Sequence, residues 1–165
     1  MKSVSSIPHK IFTLNGLVHQ IKRWRLHNKK IVFTNGVFDI LHEGHIASLS
    51  EAASFGHILI VAVNDDASVK RLKGESRPVN NETSRALLLA SLLLTDAVIL
   101  FEEDTPLNLI TSILPDVLVK GGDYTIDQVV GAKEVIANGG EVKIVNILPG
   151  FSTTGIIEKM KADNK

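Results

Sequence analysis

An uninterrupted apolar run, Ile-Leu-Ile-Val-Ala-Val, occupies residues 58–63. A short run without polar alternation is expected of a strand that is covered on both faces, as in a parallel sheet. Apolar segments that favour further strands are 30–34, 97–101, 116–120 and 141–147. Helical segments separate these strands, and such alternation favours right-handed crossovers between parallel strands. The sequence therefore predicts an α/β fold with one parallel sheet and helices on both of its faces.

Helix start and stop signals fill the intervals between the predicted strands. Asn80 or Asn81 can accept hydrogen bonds at a helix N-terminus, and Gly56 is typical of a helix C-terminus. The predicted helices are 13–28, 43–55, 66–72, 82–94, one that starts at 104–106, 129–137 and 153–162. This arrangement is a Rossmann-like, three-layer α/β/α single domain. We expect residues 1–29 to form an N-terminal helical extension and residues 30–165 to form the functional domain.

Residues 34–45 carry the motif with the clearest chemical meaning, Thr-Asn-Gly-Val-Phe-Asp-Ile-Leu-His-Glu-Gly-His. Gly36 lets the backbone approach an anion, because it has no Cβ. A helix that starts near residue 43 offers free N–H groups and the positive end of its dipole. His42 and His45 are three residues apart and point the same way in a helical turn. We interpret this motif as a phosphate site, although a plain turn with solvated histidines or a zinc-binding pair would use the same residue types.

Further candidate residues follow the other predicted strands. Ligands of parallel α/β sheets bind beyond the carboxyl ends of the strands. After the second strand come Lys70, Arg71 and Lys73, any of which could neutralise a phosphate or simply lie in a charged loop. Arg77 and Arg85 are also cationic candidates, and a salt bridge would explain Arg85 equally well. After later strands come Lys120, Gly121, Gly122 and Asp123, and then Ser152, Thr153 and Thr154.

Composition excludes several classes of partner. Lysine plus arginine equal aspartate plus glutamate at 18 each, so neither nucleic acid nor an anionic membrane is an expected partner. The chain contains no cysteine, which fits a cytoplasmic protein. Residues 1–10 lack the apolar core of a signal peptide. The very apolar segment 87–94 favours a buried helix or a subunit contact, and we expect a homo-oligomer, with a dimer as the simplest form.

The motif at residues 34–45 resembles the signature of the cytidylyltransferase-like nucleotidyltransferases, whose hallmark is a His-x-Gly-His element at the start of the first helix. Over most of the chain the sequence is similar to the heptose 1-phosphate adenylyltransferases of ADP-heptose synthesis. The matching stretches are 34–45, 61–64, 71–74, 77–80, 101–106, 118–124, 138–140 and 152–154. Residues 1–29, 125–130 and Phe151 carry no motif that the resemblance assigns.

This resemblance implies transfer of AMP from ATP to D-glycero-D-manno-heptose 1-phosphate in ADP-heptose biosynthesis, whose product feeds the lipopolysaccharide core or another glycan. It implies catalytic roles for His42, His45, Lys73 and Arg77. Nucleotide-binding roles are implied for Thr34, Asn35, Gly36, Val37, Phe38, Lys120, Gly121, Gly122, Asp123, Ser152, Thr153 and Thr154. Asp39 would shape the motif or lie near a metal, and Mg²⁺ would arrive on the nucleotide without a direct protein ligand. The alternatives are a cytidylyltransferase for glycerol 3-phosphate or another small phosphorylated alcohol, and a non-catalytic nucleotide sensor.

Overall fold

A computed structural model describes residues 4–162 of the chain, and within that range six strands form one parallel sheet. The strands are β1 Ile11–Phe12, β2 Ile31–Gly36, β3 Ile58–Asn64, β4 Ala97–Phe101, β5 Val117–Gly121 and β6 Glu141–Val145. Their spatial order is β1-β4-β3-β2-β5-β6, and every neighbouring pair is parallel. The predicted Rossmann-like α/β fold is confirmed.

Helices cover both faces of this sheet. They are α1 Leu14–Leu26, α2 Glu43–Ser54, α3 Asp66–Lys73, α4 Glu82–Ser91, α5 Leu107–Ile113, α6 Ala132–Ala137 and α7 Thr153–Ala162. Short 3-10 turns occupy Val4–Ser6, Pro8–Lys10 and Ile126–Gln128. Helices α1, α5 and α6 bury side chains such as Leu17 and Ile110 in one core, whereas α2 and α4 bury Leu49 and Leu89 in another. The sheet separates these two cores, which explains why its central strands are apolar on both faces.

The strand order forms a crevice at the carboxyl ends of the strands. From β2 the chain proceeds outward through β3 to β4 on one side, and then returns to pair β5 with the other side of β2. The order therefore reverses next to β2, and a crevice forms at such a switch point. The carboxyl ends meet there, because Gly36 lies opposite Val63 in β3 and Gly121 lies opposite Val145 in β6.

Several predicted boundaries are wrong by up to three residues. The helix predicted at 82–94 ends at Ser91. The segment predicted as helix 129–137 contains only α6, because Gly131 adopts a left-handed conformation with φ of 84° directly before it. The helix signalled at 104–106 begins at Leu107. Strand β1 was not predicted, because two residues are too few to show a pattern of apolar and polar side chains.

Gly56 is not the C-terminal cap that was predicted for α2. The helix ends at Ser54 and Phe55 follows in the cap position. A Cβ at Gly56 would lie 2.6 Å from Val32 Cγ2 and 2.8 Å from the Lys30 carbonyl oxygen. Glycine is required here because the chain passes closely beside β2 on its way into β3.

The predicted N-terminal extension shares the core of the domain. Strand β1 pairs with β4, and Leu17 and Ile21 on α1 are buried against the sheet. Thr13 begins α1 by accepting a hydrogen bond from the Gly16 amide. The boundary at residue 30 therefore separates segments of sequence but not separately packed units.

Candidate active site

The loop between β2 and α2 forms the floor of a cavity of about 410 Å³. Thr34 and Asn35 at the end of β2 line it together with the following residues of the motif. Phe38 has a left-handed φ of 50°, which turns the chain sharply toward α2. A Cβ at Gly36 would lie 3.0 Å from the Phe38 ring. Gly36 therefore has a local packing role in addition to the predicted backbone approach to an anion.

His42 and His45 form a stacked pair on the cavity wall. Their ring centroids are 3.8 Å apart with an interplanar angle of 26°. His42 occupies the N-cap position of α2 but makes no side-chain capping bond. Among residues 4–162, the buried Nδ1 atoms of both rings find no hydrogen-bond partner. Buried polar atoms are normally paired, so the unpaired atoms mark this pair, which lines the cavity, as a candidate functional group.

Gly44 makes the histidine pair possible. A Cβ at this position would lie 3.1 Å from both His42 Cε1 and Nδ1, and 3.1 Å from Phe151 Cβ. The Phe151 ring is itself stacked on His42, with centroids 6.3 Å apart. The third residue of the His-x-Gly-His element is thus glycine because two side chains pack over its Cα.

Burial keeps both imidazoles uncharged at neutral pH. Burial and, to a smaller extent, the neighbouring His42 lower the pKa of His45 to about 4. Burial also lowers the pKa of His42. A polyanion bound beside them would favour the charged forms and raise both pKa values. The pair is therefore poised to gain positive charge when a phosphate enters.

Two lysines supply positive charge across the same cavity. Lys73, at the end of α3, and Lys120, at the end of β5, both line it, whereas Lys70 does not. Burial lowers the pKa of Lys120, and the positive charge of Lys73 adds to that effect. Two cations that repel each other in a cleft indicate a site for an anion between them.

Asp39 and Arg77 hold the motif loop in place instead of lining the cavity. The Arg77 Nε atom lies 2.6 Å from Asp39 Oδ2, and the Asp39 side chain is fully buried. The Val79 and Asn80 amides also donate to this carboxylate. Arg77 lines neither the 410 Å³ cavity nor its neighbour, and its role as a phosphate clamp stays a prediction. The oxygens of Asp39 accept hydrogen bonds from protein donors.

Arg85 joins the same network through a salt bridge. Its side chain is fully buried, and its Nη2 atom lies 2.7 Å from Asp66 Oδ1. Its Nη1 atom donates to the Val37 carbonyl and its Nε atom to the Asn80 carbonyl. Of the two explanations for Arg85, the salt bridge is confirmed.

The cavity brings together most of the predicted site residues. Those on its wall are Thr34, Asn35, Gly36, Val37, Phe38, His42, His45, Lys73, Lys120, Gly121, Ser152 and Thr153. Gly122, Asp123 and Thr154 do not line it, and their contact with a nucleotide stays a prediction. Lining residues that the sequence did not single out are Ser48, Leu49, Val145, Ile147 and Phe151. Ser48 could have been found, since it lies four residues after Gly44 on the same helical face.

A second cavity, of about 340 Å³, adjoins the first. Both cavities share the motif residues 35–37 and the two lysines, Lys73 and Lys120. Beyond the lysines the second cavity is lined by Asn64, Asp104, Thr105, Tyr124, Gln128 and others. Together the cavities form one cleft with its cations at the middle.

Comparisons with known proteins identify the family of the chain. A family model described as cytidylyltransferase-like matches residues 33–159. The chain is 52% identical over 158 residues to the bifunctional protein HldE of Koribacter versatilis, covering 96% of this chain and 32% of that protein. It is 57% identical over 141 residues to the bifunctional protein HldE of Escherichia coli O1:K1, covering 86% of this chain and 30% of that protein. The chain thus spans about a third of the length of these curated relatives.

Solved structures are similar in fold. The lipopolysaccharide core biosynthesis protein of Thermoplasma volcanium is 35% identical with a TM-score of 0.60, covering 73% of this chain and 97% of that one. The pantoate-beta-alanine ligase of Francisella tularensis has a TM-score of 0.59 at 16% identity, which supports the fold alone. None of the helices within residues 4–162 has the length and apolar character needed to cross a membrane.

Proposed function

Because this chain belongs to the cytidylyltransferase-like family and is a nucleotidyltransferase, we propose that it transfers AMP from ATP to D-glycero-D-manno-heptose 1-phosphate. The products are ADP-heptose and pyrophosphate. One observation carries the proposal: two stacked imidazoles, whose Nδ1 atoms have no hydrogen-bond partner within residues 4–162, line a cleft that also holds Lys73 and Lys120. The choice of acceptor follows from the similarity to heptose 1-phosphate adenylyltransferases in the stretches given above.

The reaction needs no general base. The second pKa of a phosphate monoester is about 6, so the acceptor phosphate is mostly dianionic at neutral pH. One of its oxygens forms a bond to the α-phosphorus of ATP. The bond from that phosphorus to the bridging oxygen breaks, and its electron pair leaves with pyrophosphate. Catalysis then consists of holding two polyanions together and neutralising their charge.

Each polar group of the cleft has a role in this scheme. His42 and His45 donate to phosphate oxygens of ATP and stabilise the charge that develops on them. Lys73 and Lys120 bind phosphates from the other side of the cleft. The N–H groups at the start of α2 face the same anion with the positive end of the helix dipole. Asp39 and Arg77 keep the loop that carries these groups in place.

We also propose that Mg²⁺ arrives with ATP. The carboxylate of Asp39 is occupied by Arg77, Val79 and Asn80, and residues 4–162 contain no cluster of three or more acidic, histidine or cysteine side chains that could hold a metal. Such surroundings fit a cation whose ligands are mostly phosphate oxygens and water, as is usual for Mg²⁺. When bound, Mg²⁺ offsets part of the triphosphate charge.

The test is a mass-spectrometric assay of the purified protein with Mg²⁺, ATP and each anomer of heptose 1-phosphate. We expect ADP-heptose and pyrophosphate in equal amounts from one anomer. CTP with glycerol 3-phosphate is run in parallel, because the histidine pair would serve either reaction. Product from that pair, with none from ATP and either heptose 1-phosphate, would overturn the proposal.

A further inference from the structure

Lys120, at the end of β5, is a partly buried lysine whose amine has no acceptor. Three other partly buried lysines each have one: Lys10 donates to backbone carbonyls, and Lys30 and Lys143 both pair with Glu141. In the part of the chain that the structure describes, no carboxylate pairs with Lys120 Nζ and no carbonyl accepts a hydrogen bond from it. Burying a charge without a partner is unfavourable, so this amine stands apart from the other lysines as a candidate reactive group.

The surroundings of Lys120 activate its amine. The Nζ atom lies 5.6 Å from the centre of the Tyr124 ring, and the side chain lines both cavities together with Lys73. Burial first, and the positive charge of Lys73 second, lower the pKa of Lys120. A lysine that is desolvated and lies next to another cation is a nucleophile, because more of its amine is uncharged at neutral pH. The proposed transfer of AMP uses this amine only to bind phosphate, so its nucleophilic character is free for a second reaction.

The cleft selects the kind of electrophile that reaches this amine. Lys73, His42 and His45 line it with Lys120 and favour a ligand that carries a phosphoryl group. A small acyl phosphate carries such a group, joined through one oxygen to an activated carbonyl carbon. Holding the phosphoryl group beside Lys120 raises the effective concentration of that carbon at the amine.

We propose that Lys120 is a site of acylation by small acyl phosphates. The uncharged Nζ atom attacks the carbonyl carbon, a C–N bond forms, and the C–O bond to the phosphate breaks with its electron pair on the phosphate. The proton released from nitrogen passes to that phosphate, so the products are an Nε-acyl lysine and inorganic phosphate. An amide carries no charge at neutral pH. The cleft then keeps the cation of Lys73 but loses that of Lys120, which weakens the binding of nucleotide.

The first test uses acetyl phosphate and the purified full chain at neutral pH. Tandem mass spectrometry follows acetylation of each lysine with time, with the exposed Lys22 and Lys133 as internal references. We expect Lys120 to react about tenfold faster than either reference, because only its cleft concentrates the reagent. The rate at Lys120 should saturate with acetyl phosphate and fall when ATP fills the cleft. Equal rates at the three lysines would overturn the proposal.

A matched pair of variants on α3 tests whether the phosphoryl group is held in the cleft. Lys73 lines both cavities, whereas Lys70, one turn earlier on the helix, lines neither. We expect Lys73→Ala to slow acetylation of Lys120 about tenfold, because the reagent loses a cation and the amine loses the neighbour that lowers its pKa. Lys70→Ala should react at the wild-type rate. An unchanged rate in Lys73→Ala would overturn the proposal.

The effect on nucleotide binding is measured by calorimetry with ATP alone. Acetyl phosphate treatment should weaken ATP binding by the wild type, whereas Lys120→Arg should keep the affinity of its own untreated form, because a guanidinium is not acylated under these conditions. An equal loss of affinity in treated Lys120→Arg would place the effect at another lysine and overturn the assignment. No acceptor is present in these measurements, so they stand or fall separately from the proposed transfer to heptose 1-phosphate.

Discussion

At the residue scale, catalysis depends on the stacked imidazoles of His42 and His45. Removing one donor to a developing oxyanion typically lowers turnover about 100- to 1,000-fold. We expect His42→Ala and His45→Ala to lower kcat by that range, measured as pyrophosphate release. Both variants should still fold, because each loses only ring contacts with its neighbours and no hydrogen bond of Nδ1 within residues 4–162. Near-normal turnover in both variants would contradict the assignment.

The titration of His45 gives a second test at this scale. Its pKa of about 4 lies below the ordinary value of 6.5, because of burial first and His42 second. The contribution of the uncharged ring to the free energy of unfolding is therefore fully present above pH 6.5. It falls as the pH drops toward 4. NMR titration of the ring protons should show this low pKa in free protein and a higher one in His42→Ala. A nucleotide analogue should also raise it, since bound phosphates favour imidazolium. A His45 pKa near 6.5 that does not change with the nucleotide analogue would contradict the assignment of a phosphate site beside this ring.

At the scale of elements, one buried carboxylate connects the β2–α2 loop to the segment before α4. Burial raises the pKa of Asp39, but hydrogen bonds from Asn80 and Val79 and the pairing with Arg77 outweigh it, so the pKa lies below its usual value. The loop that carries the histidines is thus tied to residues 77–80. The Arg71–Asp104 pair makes a similar link elsewhere, but its side chains are about half exposed.

These two ion pairs should differ strongly in their effect on stability. Breaking a buried pair leaves an uncompensated charge and typically costs about 3–5 kcal/mol, whereas an exposed pair contributes about 0.2–1 kcal/mol. We expect Asp39→Ala to destabilise the fold by the larger amount and Asp104→Ala by the smaller one. The measurement is the free energy of unfolding in urea at pH 7. Equal losses would show that Asp39 does not hold the loop.

At the scale of the whole molecule, α1 is part of the core although its sequence lies outside the family motifs. Leu17 on this helix is fully buried, whereas Leu26 at its end is 82% exposed. Truncating a buried leucine costs about 2–5 kcal/mol, whereas exposed substitutions usually change stability by less than about 0.5 kcal/mol. We expect urea unfolding to show this difference between Leu17→Ala and Leu26→Ala. A negligible loss for Leu17→Ala would mean that α1 is a dispensable extension.

The dimer stays a prediction at this scale. Leu87 and Leu88 on α4 are each close to half exposed, and Leu93 beyond the helix is 85% exposed. Exposed apolar patches are typical of a subunit contact, and these leucines lie close together in sequence. Sedimentation equilibrium of the wild type and of Leu88→Asp is the measurement, and we expect the substitution to shift the mass toward the monomer. A monomeric wild type would exclude the contact.

The order of strands and helices could be predicted from the sequence, because continuous apolar runs and glycine or asparagine breaks are local signals. The histidine pair could be predicted for the same reason, since a spacing of three residues and a helix start define its geometry. Helix ends were less predictable. Gly131 and Gly56 resemble ordinary breaks in sequence, and only their neighbours in space show what each glycine does.

Only the tertiary structure decided which of the candidate cations face the site. Lys70, Lys73, Arg77 and Arg85 look equivalent in sequence, yet Lys73 lines the cleft while both arginines are held by carboxylates. Ion pairs form between residues that are 19 and 38 positions apart, and no local pattern encodes such distances. The sequence therefore determined the fold class and the chemical character of the site, whereas long-range packing determined which side chains are free to bind a ligand.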